Sequence, residues 1–212
     1  MSAPIEHLLL ASGNAKKLNE LRGLLEPLGI ALAAPSEVGG LPEVDEDRPS
    51  FAGNAAKKAT SAALHARTWA LADDSGLQVA ALDDRPGVRS ARFSADHGRD
   101  PGGDVDAANR AELLSQLQAL PDAPRDARFH CALALARPDG SIAAEFAGET
   151  HGRIIDQERG TSGFGYDPLF EFTEPGFAAT GQTFAELDAA QKAEVSHRGR
   201  ALVALLRWIQ EQ

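Results

Sequence analysis

The sequence predicts a globular protein in which β-strands and α-helices are mixed, and three observations support this prediction. Apolar residues make up 43% of the chain and charged residues 25%, which is ordinary for a folded soluble protein. Short apolar runs typical of strands recur along the chain, and between them leucines or alanines recur at helical spacing. A chain of 212 residues can bury a sizeable core, so we expect a single domain over residues 1–212.

The first strand is predicted over residues 5–11, and Ser12-Gly13-Asn14 leads from it into a helix. A strand, a glycine-containing turn and a helix N-terminus form an anion-binding arrangement, to which Lys17 adds a positive charge. The second glycine and the Lys-Ser/Thr pair of a P-loop are absent. The alternative is an ordinary capped surface helix in which Lys16 pairs with Glu20.

The next elements are a strand at residues 30–34, an acidic loop at 35–49 and a helix at 50–66. Alanines at helical spacing give the helix a small-residue stripe that allows close packing. The acidic loop carries Glu43, Asp45, Glu46 and Asp47. Such a loop is usually solvated surface, but it can also lend a carboxylate to a metal ion.

Residues 70–93 hold the greatest concentration of chemically useful side chains. A buried strand is predicted at residues 69–72, so that Asp73 and Asp74 fall at its end and Gly76 lets the chain turn before a second apolar run. Two neighbouring carboxylates cannot both be desolvated and ionised without a cation, which suggests a hard metal such as Mg²⁺. The alternative is a solvated acidic turn.

A tight turn is predicted next, at residues 85–88, and it would bring Ser90 back toward the edge where Asp73 and Asp74 lie. A loop is predicted at residues 95–103. A helix is predicted over residues 105–120. A long hairpin is predicted from residues 128 to 149, with its turn at Pro138-Asp139-Gly140.

Two segments near the C-terminal end have the features of ligand-binding sites. Residues 160–170 are rich in glycine, and Phe164 or Tyr166 offers a flat face on which a base can stack; the alternative is a turn with the phenylalanine packed inward. Lys192 precedes Ser196, which is a natural N-cap for a final helix with His197 and Arg198 in its first turn.

Composition also excludes several classes of protein. The N-terminal segment has no apolar run long enough for a signal peptide or a membrane span, so we expect a cytoplasmic protein with no membrane partner. The single cysteine, Cys131, lies in an apolar run and is interpreted as a packing residue. A net charge of -10 provides no general attraction for a nucleic-acid backbone, so no nucleic-acid partner is expected.

Five motifs occur in order between Leu10 and Leu206: SGNxxKxxE, ADDSGLxVxAL, PGVxSARF, GFGYDPLF and KxxxSHRGRAL. This ordered set resembles the inosine triphosphate pyrophosphatase family, in its bacterial XTP/dITP diphosphatase branch. The resemblance implies an elongated two-lobed α/β fold with a long twisted mixed β-sheet flanked by helices, and a nucleotide cleft between the lobes. It also implies a homodimer.

The resemblance further implies Mg²⁺-dependent hydrolysis of non-canonical purine nucleoside triphosphates (dITP, ITP, XTP) to the monophosphate and pyrophosphate. Asp74 would be the general base and a metal ligand, and Ser75 would touch the substrate. The residues implied to contact the triphosphate are Ser12, Gly13, Asn14, Ala15, Lys16 and Lys17. Those implied to hold the base are Phe164, Gly165, Tyr166 and Asp167, and those implied to close over it are Lys192, His197 and Arg198.

Within these implied roles, an Arg or His donor near the 6-keto oxygen would favour hypoxanthine and xanthine over adenine, which makes Arg198 or His197 the candidate for base discrimination.

The chain departs from the family pattern at one position. The family commonly reads Thr-Phe-x-Glu-Asn-Ala where this chain has Ser50 to Ala55, so Gly53 replaces an expected carboxylate. We expect Asn54 to cap that helix start. Alignment of the acidic loop with the family pattern implies that Glu46 is the second metal ligand, with neighbouring Asp45 as the alternative. Lys58 also matches a family lysine.

Two other functions are compatible with the sequence: a nucleotide-binding sensor that has lost turnover because of Gly53, and a pyrophosphatase for other modified nucleotides.

Overall fold

The computed structural model describes residues 5–13, 18, 21–22, 25–100 and 102–211. These residues form a mixed α/β fold, as the resemblance implied, with one mixed sheet and flanking helices. The strands are β1 (His7–Leu10), β2 (Ala31–Ala33), β3 (Trp69–Val79), β4 (Arg85–Pro86), β5 (Asp126–Ala136), β6 (Ile142–Ile154) and β7 (Phe170–Phe172). The sheet has the order β2-β1-β3-β5-β6-β7, and β4 pairs with β3 outside this path.

The helices with described bounds are α1 (Phe51–Ala66), α2 (Phe93–Asp96), α3 (Val105–Gln118), α4 (Ala189–Val195) and α5 (His197–Gln210). The helices predicted over residues 50–66 and 105–120 and the long hairpin are therefore confirmed. Of the helix predicted after the first strand, the described residues 18, 21, 22 and 25 are helical. Among the described residues, no helix is long and apolar enough to cross a membrane.

The chain divides into two compact units. The first unit contains Met1–Asp74, Ala132–Ala147 and Ala201–Gln212, and the second contains Ser75–Cys131 and Gly148–Arg200.

The first unit is built around the parallel pairing of β1 with β2 and β3. Leu8 lies opposite Leu32 on one side and opposite Trp69 on the other. The three leucines of β1 are buried, as expected for a parallel strand that is covered on both faces. Helix α1 begins after Ser50, whose side chain accepts a hydrogen bond from the Gly53 N–H. The buried alanines of α1 confirm its predicted small-residue packing face.

The second unit has an aromatic core. Phe129, Phe170 and Phe184 pack against one another with ring centroids 4.6 to 5.6 Å apart. Strand β7 pairs antiparallel with β6, and Gly152 of β6 lies opposite Phe172. A Cβ atom at Gly152 would collide with the Glu171 carbonyl oxygen and the Phe170 ring, so only glycine fits this register.

Strand β3 corrects the sequence prediction. The two short strands predicted on either side of Gly76 are one continuous strand of 11 residues, so Asp73 and Asp74 lie inside it and not at its end. Glycine and serine adopt the extended conformation without steric cost, and pairing in the sheet satisfies the backbone of this buried stretch. The chain turns later, where Asp83 and Asp84 have left-handed backbone conformations.

The predicted return of Ser90 is confirmed. Strand β4 pairs antiparallel with the end of β3, with Pro86 opposite Gln78. The following 3-10 helix, Gly87–Arg92, places the Ser90 Oγ where it accepts a hydrogen bond of 2.9 Å from the Leu77 N–H.

Candidate functional site

An acidic cluster in the first unit consists of Glu46, Asn54, Lys58 and Asp74. Lys58 projects from α1, and its Nζ lies 2.8 Å from Glu46 Oε1 and 3.4 Å from Asp74 Oδ1. The Lys58 and Asp74 side chains are only 17% and 10% exposed, so this contact is poorly screened by solvent. One ammonium group therefore contacts two carboxylates, one from a loop and one from a buried strand, and their negative charge is only partly neutralised.

Asn54 fixes the orientation of Asp74. Its fully buried amide donates a hydrogen bond of 3.1 Å from Nδ2 to Asp74 Oδ2, and its Oδ1 accepts one of 2.9 Å from the Arg48 N–H. The expectation that Asn54 caps α1 was wrong, because Ser50 performs that role. Asn54 instead ties the loop before α1 to the carboxylate in β3, since both ends of its amide are used.

Burial and charge act in opposite directions on this cluster. Burial raises the pKa of Asp74, although Lys58 and the Asn54 amide both favour its ionised form. Burial alone would lower the pKa of Lys58, but the attraction of Asp74 and Glu46 outweighs it and raises that pKa. Lys58 is therefore a permanent cation, and Asp74 is a carboxylate with more than ordinary affinity for a proton.

The donor set of the cluster fits a magnesium ion. Glu46 and Asp74 present hard oxygen ligands to a common cation, Lys58, so their charges already converge on one place. Within the described ranges, no group of three or more His, Cys, Asp or Glu side chains is arranged to hold a metal. Mg²⁺ needs only one or two protein carboxylates beside water and phosphate oxygens, so two ligands suffice.

Asp45 has a different environment from Glu46. Asp45 is exposed, and its backbone oxygen accepts a hydrogen bond of 2.8 Å from Lys57 Nζ. Glu46 is partly buried and its carboxylate contacts Lys58. This geometry favours Glu46 over Asp45 as the carboxylate that acts together with Asp74.

A pocket of about 280 Å³ in the first unit is lined by two of the residues predicted to contact the triphosphate. Ser12 and Gly13, which follow β1, line it together with Lys58 and with apolar residues such as Leu41 and Pro42. The remaining residues predicted to contact the triphosphate lie outside the described residues: Asn14, Ala15, Lys16 and Lys17. The structure thus places Ser12 and Gly13 beside a cation of the acidic cluster.

A second cluster, which we call the base cluster after the role that the resemblance implies for its residues, lies in the second unit and contains Phe164, Asp167, Lys192 and Arg198. Lys192 Nζ forms an ion pair of 2.5 Å with Asp167 Oδ2 and lies 5.2 Å from the centre of the Phe164 ring. Arg198 Cζ lies 5.9 Å from the same ring. Phe164 is 43% exposed, so part of an aromatic ring stands in solvent close to two cations.

Further predicted residues lie at the start of α5. Ser196 Oγ accepts a hydrogen bond of 3.1 Å from the Gly199 N–H, which confirms its predicted capping role. Arg198 Nη2 donates a bond of 3.3 Å to Ser75 Oγ. His197 is buried, and its ring stacks on Phe129 with centroids 4.8 Å apart.

Tyr166 differs from the sequence expectation. Its ring is buried, and its hydroxyl donates a hydrogen bond of 2.9 Å to the Ser90 carbonyl, so it offers no exposed stacking face. Burial also raises the pKa of its phenol, which therefore stays neutral. Of Phe164 and Tyr166, only Phe164 presents a face on which a base can stack.

Sequence reasoning from residue types did not identify Asn54 as a partner of Asp74. The available signal was spacing, because Asn54 and Lys58 are four residues apart and so lie on one face of α1. A buried asparagine and a lysine on an otherwise alanine-lined face require polar partners. The carboxylates of Glu46 and Asp74 are those partners.

Comparison with known proteins adds an independent finding. The Ham1 family model matches residues 8–208. A dITP/XTP pyrophosphatase of Rhodopirellula baltica is 46% identical over 195 residues, which cover 92% of this chain and 88% of that protein. The structure of a HAM1 protein from Coxiella burnetii has a TM-score of 0.86 and 36% identity, covering 97% of this chain and 99% of that one.

A structure of a nucleoside-triphosphatase / dITP/XTP pyrophosphatase from Mycobacterium abscessus has a TM-score of 0.74 and 46% identity, covering 94% of this chain and 98% of that chain. The similarity predicted from the five ordered motifs is therefore confirmed over nearly the whole sequence. The chain belongs to the Ham1 family.

Proposed function

We propose that this protein is a Mg²⁺-dependent pyrophosphatase that hydrolyses dITP, ITP and XTP to the nucleoside monophosphate and pyrophosphate. The observation that carries the proposal is the environment of Asp74, a buried carboxylate oriented by Asn54 and faced by Lys58. A raised pKa suits a general base, because it increases the driving force for proton abstraction. The names of the similar proteins, dITP/XTP pyrophosphatase, support the substrate class.

In the proposed reaction, Asp74 accepts a proton from a water molecule whose oxygen attacks the α-phosphorus. The new bond joins that oxygen to phosphorus, and the bond between the α-phosphorus and its bridging oxygen breaks, so pyrophosphate leaves with the bonding electrons. Asn54 keeps Asp74 Oδ2 fixed, so Oδ1, which lies on the side of Lys58, is the oxygen that would face the water. Lys58 contributes positive charge beside the reacting phosphate.

Glu46 and Asp74 would hold the Mg²⁺ ion, since their carboxylates converge. When bound, the ion supplies positive charge to the phosphate oxygens. Ser12 and Gly13, with the predicted contribution of residues 14–17, would bind the triphosphate.

The base cluster would select the purine. Phe164 provides the stacking face, and Ser75 is held by Arg198 at a distance of 3.3 Å from the guanidinium. Lys192 and Arg198 are donors without acceptor capacity, so a 6-keto oxygen satisfies them and a 6-amino group does not. Gly165, Tyr166, Asp167 and His197 would support this site from within the protein, because Tyr166, Asp167 and His197 are buried.

Pyrophosphate release tests the proposal. The protein should hydrolyse dITP, ITP and XTP when Mg²⁺ is present and lose this activity in excess chelator. Its kcat/KM for dITP should exceed that for dATP by about 100-fold or more, because the amino group leaves a buried donor unpaired. Equal rates on dITP and dATP would contradict the assignment of the base cluster. Tight dITP binding without turnover would favour a sensor, and preferred hydrolysis of a pyrimidine triphosphate would favour a different pyrophosphatase.

We further infer a cytoplasmic homodimer, as expected from the family resemblance. Light scattering coupled to gel filtration measures the molar mass directly. A mass near the 22.4 kDa of one chain at micromolar concentration would contradict the dimer.

A further inference from the structure

Two side chains of α3 hold Gly165, in the middle of the glycine-rich segment of residues 160–170. Asp106 Oδ2 accepts a hydrogen bond of 2.8 Å from the Gly165 N–H. Arg110 Nη1 donates one of 2.9 Å to the Gly165 carbonyl oxygen. Asp106 and Arg110 are four residues apart, so they project from the same face of α3. We call these three residues the glycine clamp.

The clamp fixes the backbone conformation of Gly165, which as a glycine has more conformational freedom than its neighbours. The Gly165 N–H belongs to the peptide group before it and the carbonyl to the peptide group after it, so the clamp restrains both planes. Gly165 has a φ angle of 60°, a left-handed conformation that glycine adopts readily but does not hold by itself. Both bonds involve a charged partner, and such bonds are stronger than neutral ones.

The two neighbours of Gly165 differ in how they are held. Tyr166 is anchored by burial and by its bond to the Ser90 carbonyl. Phe164 is 43% exposed, so core packing cannot set the direction of its ring. The Phe164 N–H is bonded to Asp167 Oδ2 at 2.8 Å, which restrains the backbone before the ring, and the peptide between Phe164 and Gly165 is the backbone group that follows it. Asp106 bonds that peptide directly.

We propose that Asp106 and Arg110 are positioning residues for base discrimination: by clamping Gly165, they keep the Phe164 ring beside Lys192 and Arg198. This inference rests on the proposed function, because it assumes that these three side chains contact the purine. A loosened Phe164 would still stack on any base, since stacking does not distinguish hypoxanthine from adenine. The base would no longer be held in a fixed position relative to the donors of Lys192 and Arg198, so the preference for dITP over dATP would fall.

A second contact of Arg110, the one with Glu158, provides a matched control for the clamp variants. Its Nε also forms an ion pair of 2.7 Å with Glu158, whose side chain is 47% exposed. Glu158→Ala removes that surface pair and leaves the bond from Arg110 to Gly165 intact. Asp106→Asn and Arg110→Lys are conservative variants, because asparagine keeps an acceptor and lysine keeps a donor.

The experiment compares Asp106→Ala, Arg110→Ala, the two conservative variants and Glu158→Ala. For each, kcat and KM are measured with dITP and dATP, binding of dIMP and dAMP is measured by calorimetry, and hydrogen exchange is followed at residues 160–170. We expect the two alanine variants to raise KM for dITP about tenfold and reduce the preference for dITP over dATP by a similar factor. Their kcat should change less than about threefold, and exchange at the Gly165 amide should accelerate in Asp106→Ala.

The conservative variants should recover most of the selectivity, and Glu158→Ala should match the parent. Unchanged selectivity in Asp106→Ala and Arg110→Ala would overturn the inference, whether or not exchange accelerates. An equal loss on both nucleotides with a lowered melting temperature would also overturn it, because that pattern indicates a purely structural role. If an alanine variant does not fold, its conservative counterpart is compared with Glu158→Ala by the same criteria.

A parent protein without turnover would refute the proposed function and not the clamp. In that case monophosphate binding decides: a smaller preference for dIMP over dAMP in Asp106→Ala than in Asp106→Asn supports the clamp, and an equal preference overturns it.

Discussion

Replacing Asp74 with asparagine separates the chemistry of the acidic cluster from its packing, because the two side chains have nearly the same shape. The variant loses the proposed general base and one of the two proposed metal ligands in a single change. We expect turnover of dITP to fall by about 100-fold or more. Binding of the nucleotide should change much less, since the base cluster is unaltered.

The structure indicates that Asp74→Asn costs little stability. Burial raises the pKa of Asp74 above its ordinary value, so the ionised carboxylate destabilises the fold at neutral pH, and a neutral amide avoids this penalty. The lost contact with Lys58 is long, at 3.4 Å, and Lys58 keeps its shorter contact of 2.8 Å with Glu46. We therefore expect the free energy of unfolding to change by no more than about 1 kcal/mol.

The assay measures pyrophosphate release at saturating dITP and Mg²⁺, together with urea unfolding of the same preparations. Asp84→Asn is the matched control, because it makes the same substitution in an exposed carboxylate that pairs with Arg128 at 2.9 Å. The control should keep parental turnover. Turnover of Asp74→Asn within a few-fold of the parent would remove Asp74 from the mechanism. A loss of stability above about 3 kcal/mol would show that its contacts are mainly structural.

Three further predictions test other parts of the structure. Lys192→Ala should lower kcat/KM for dITP at least about tenfold through a higher KM, and unchanged steady-state constants would contradict its proposed contact. Glu46→Ala should raise the Mg²⁺ concentration needed for half-maximal rate, as measured by metal titration, and an unchanged requirement would exclude it as a ligand. Burial alone would raise the pKa of Glu174, but hydrogen bonds from Arg200 and the His151 N–H outweigh it and lower that pKa. The ionised carboxylate of Glu174 therefore stabilises the fold above the ordinary pKa of 4.5, and this effect is lost as the pH falls through the lower pKa of the folded state. Glu174→Gln should lower the free energy of unfolding in urea by about 1 kcal/mol at neutral pH. The difference between variant and parent should vanish in acid.

Local patterns were sufficient to predict most helices. Helix α1 was predicted within one residue, because its alanine spacing is a property of the segment itself, although its cap is Ser50 and not the expected Asn54. The continuity of β3 was not predictable in this way. Asp73-Asp74-Ser75-Gly76 has the composition of a turn, and it is extended because sheet partners from distant parts of the chain pair with it.

The direction of individual side chains was the least predictable feature. Phe164 and Tyr166 are two residues apart in one glycine-rich segment, yet one is exposed and the other is buried against the core. The difference depends on the Ser90 carbonyl, which the fold brings to the Tyr166 hydroxyl across 76 positions of sequence. No property of residues 160–170 alone specifies that partner.

The structure also explains how glycine is accommodated at position 53, where the family pattern has a carboxylate. A Cβ atom there would lie 3.0 Å from Arg48 Cβ and 3.1 Å from Ser50 Oγ, so the loop before α1 packs closely against the bare backbone. The Arg48 N–H is bonded to Asn54, and Asn54 orients Asp74. A larger residue at position 53 would therefore press on Arg48 and, through Asn54, change the direction of the Asp74 carboxylate. Any charge that such a residue adds would be accompanied by this steric effect on Asp74.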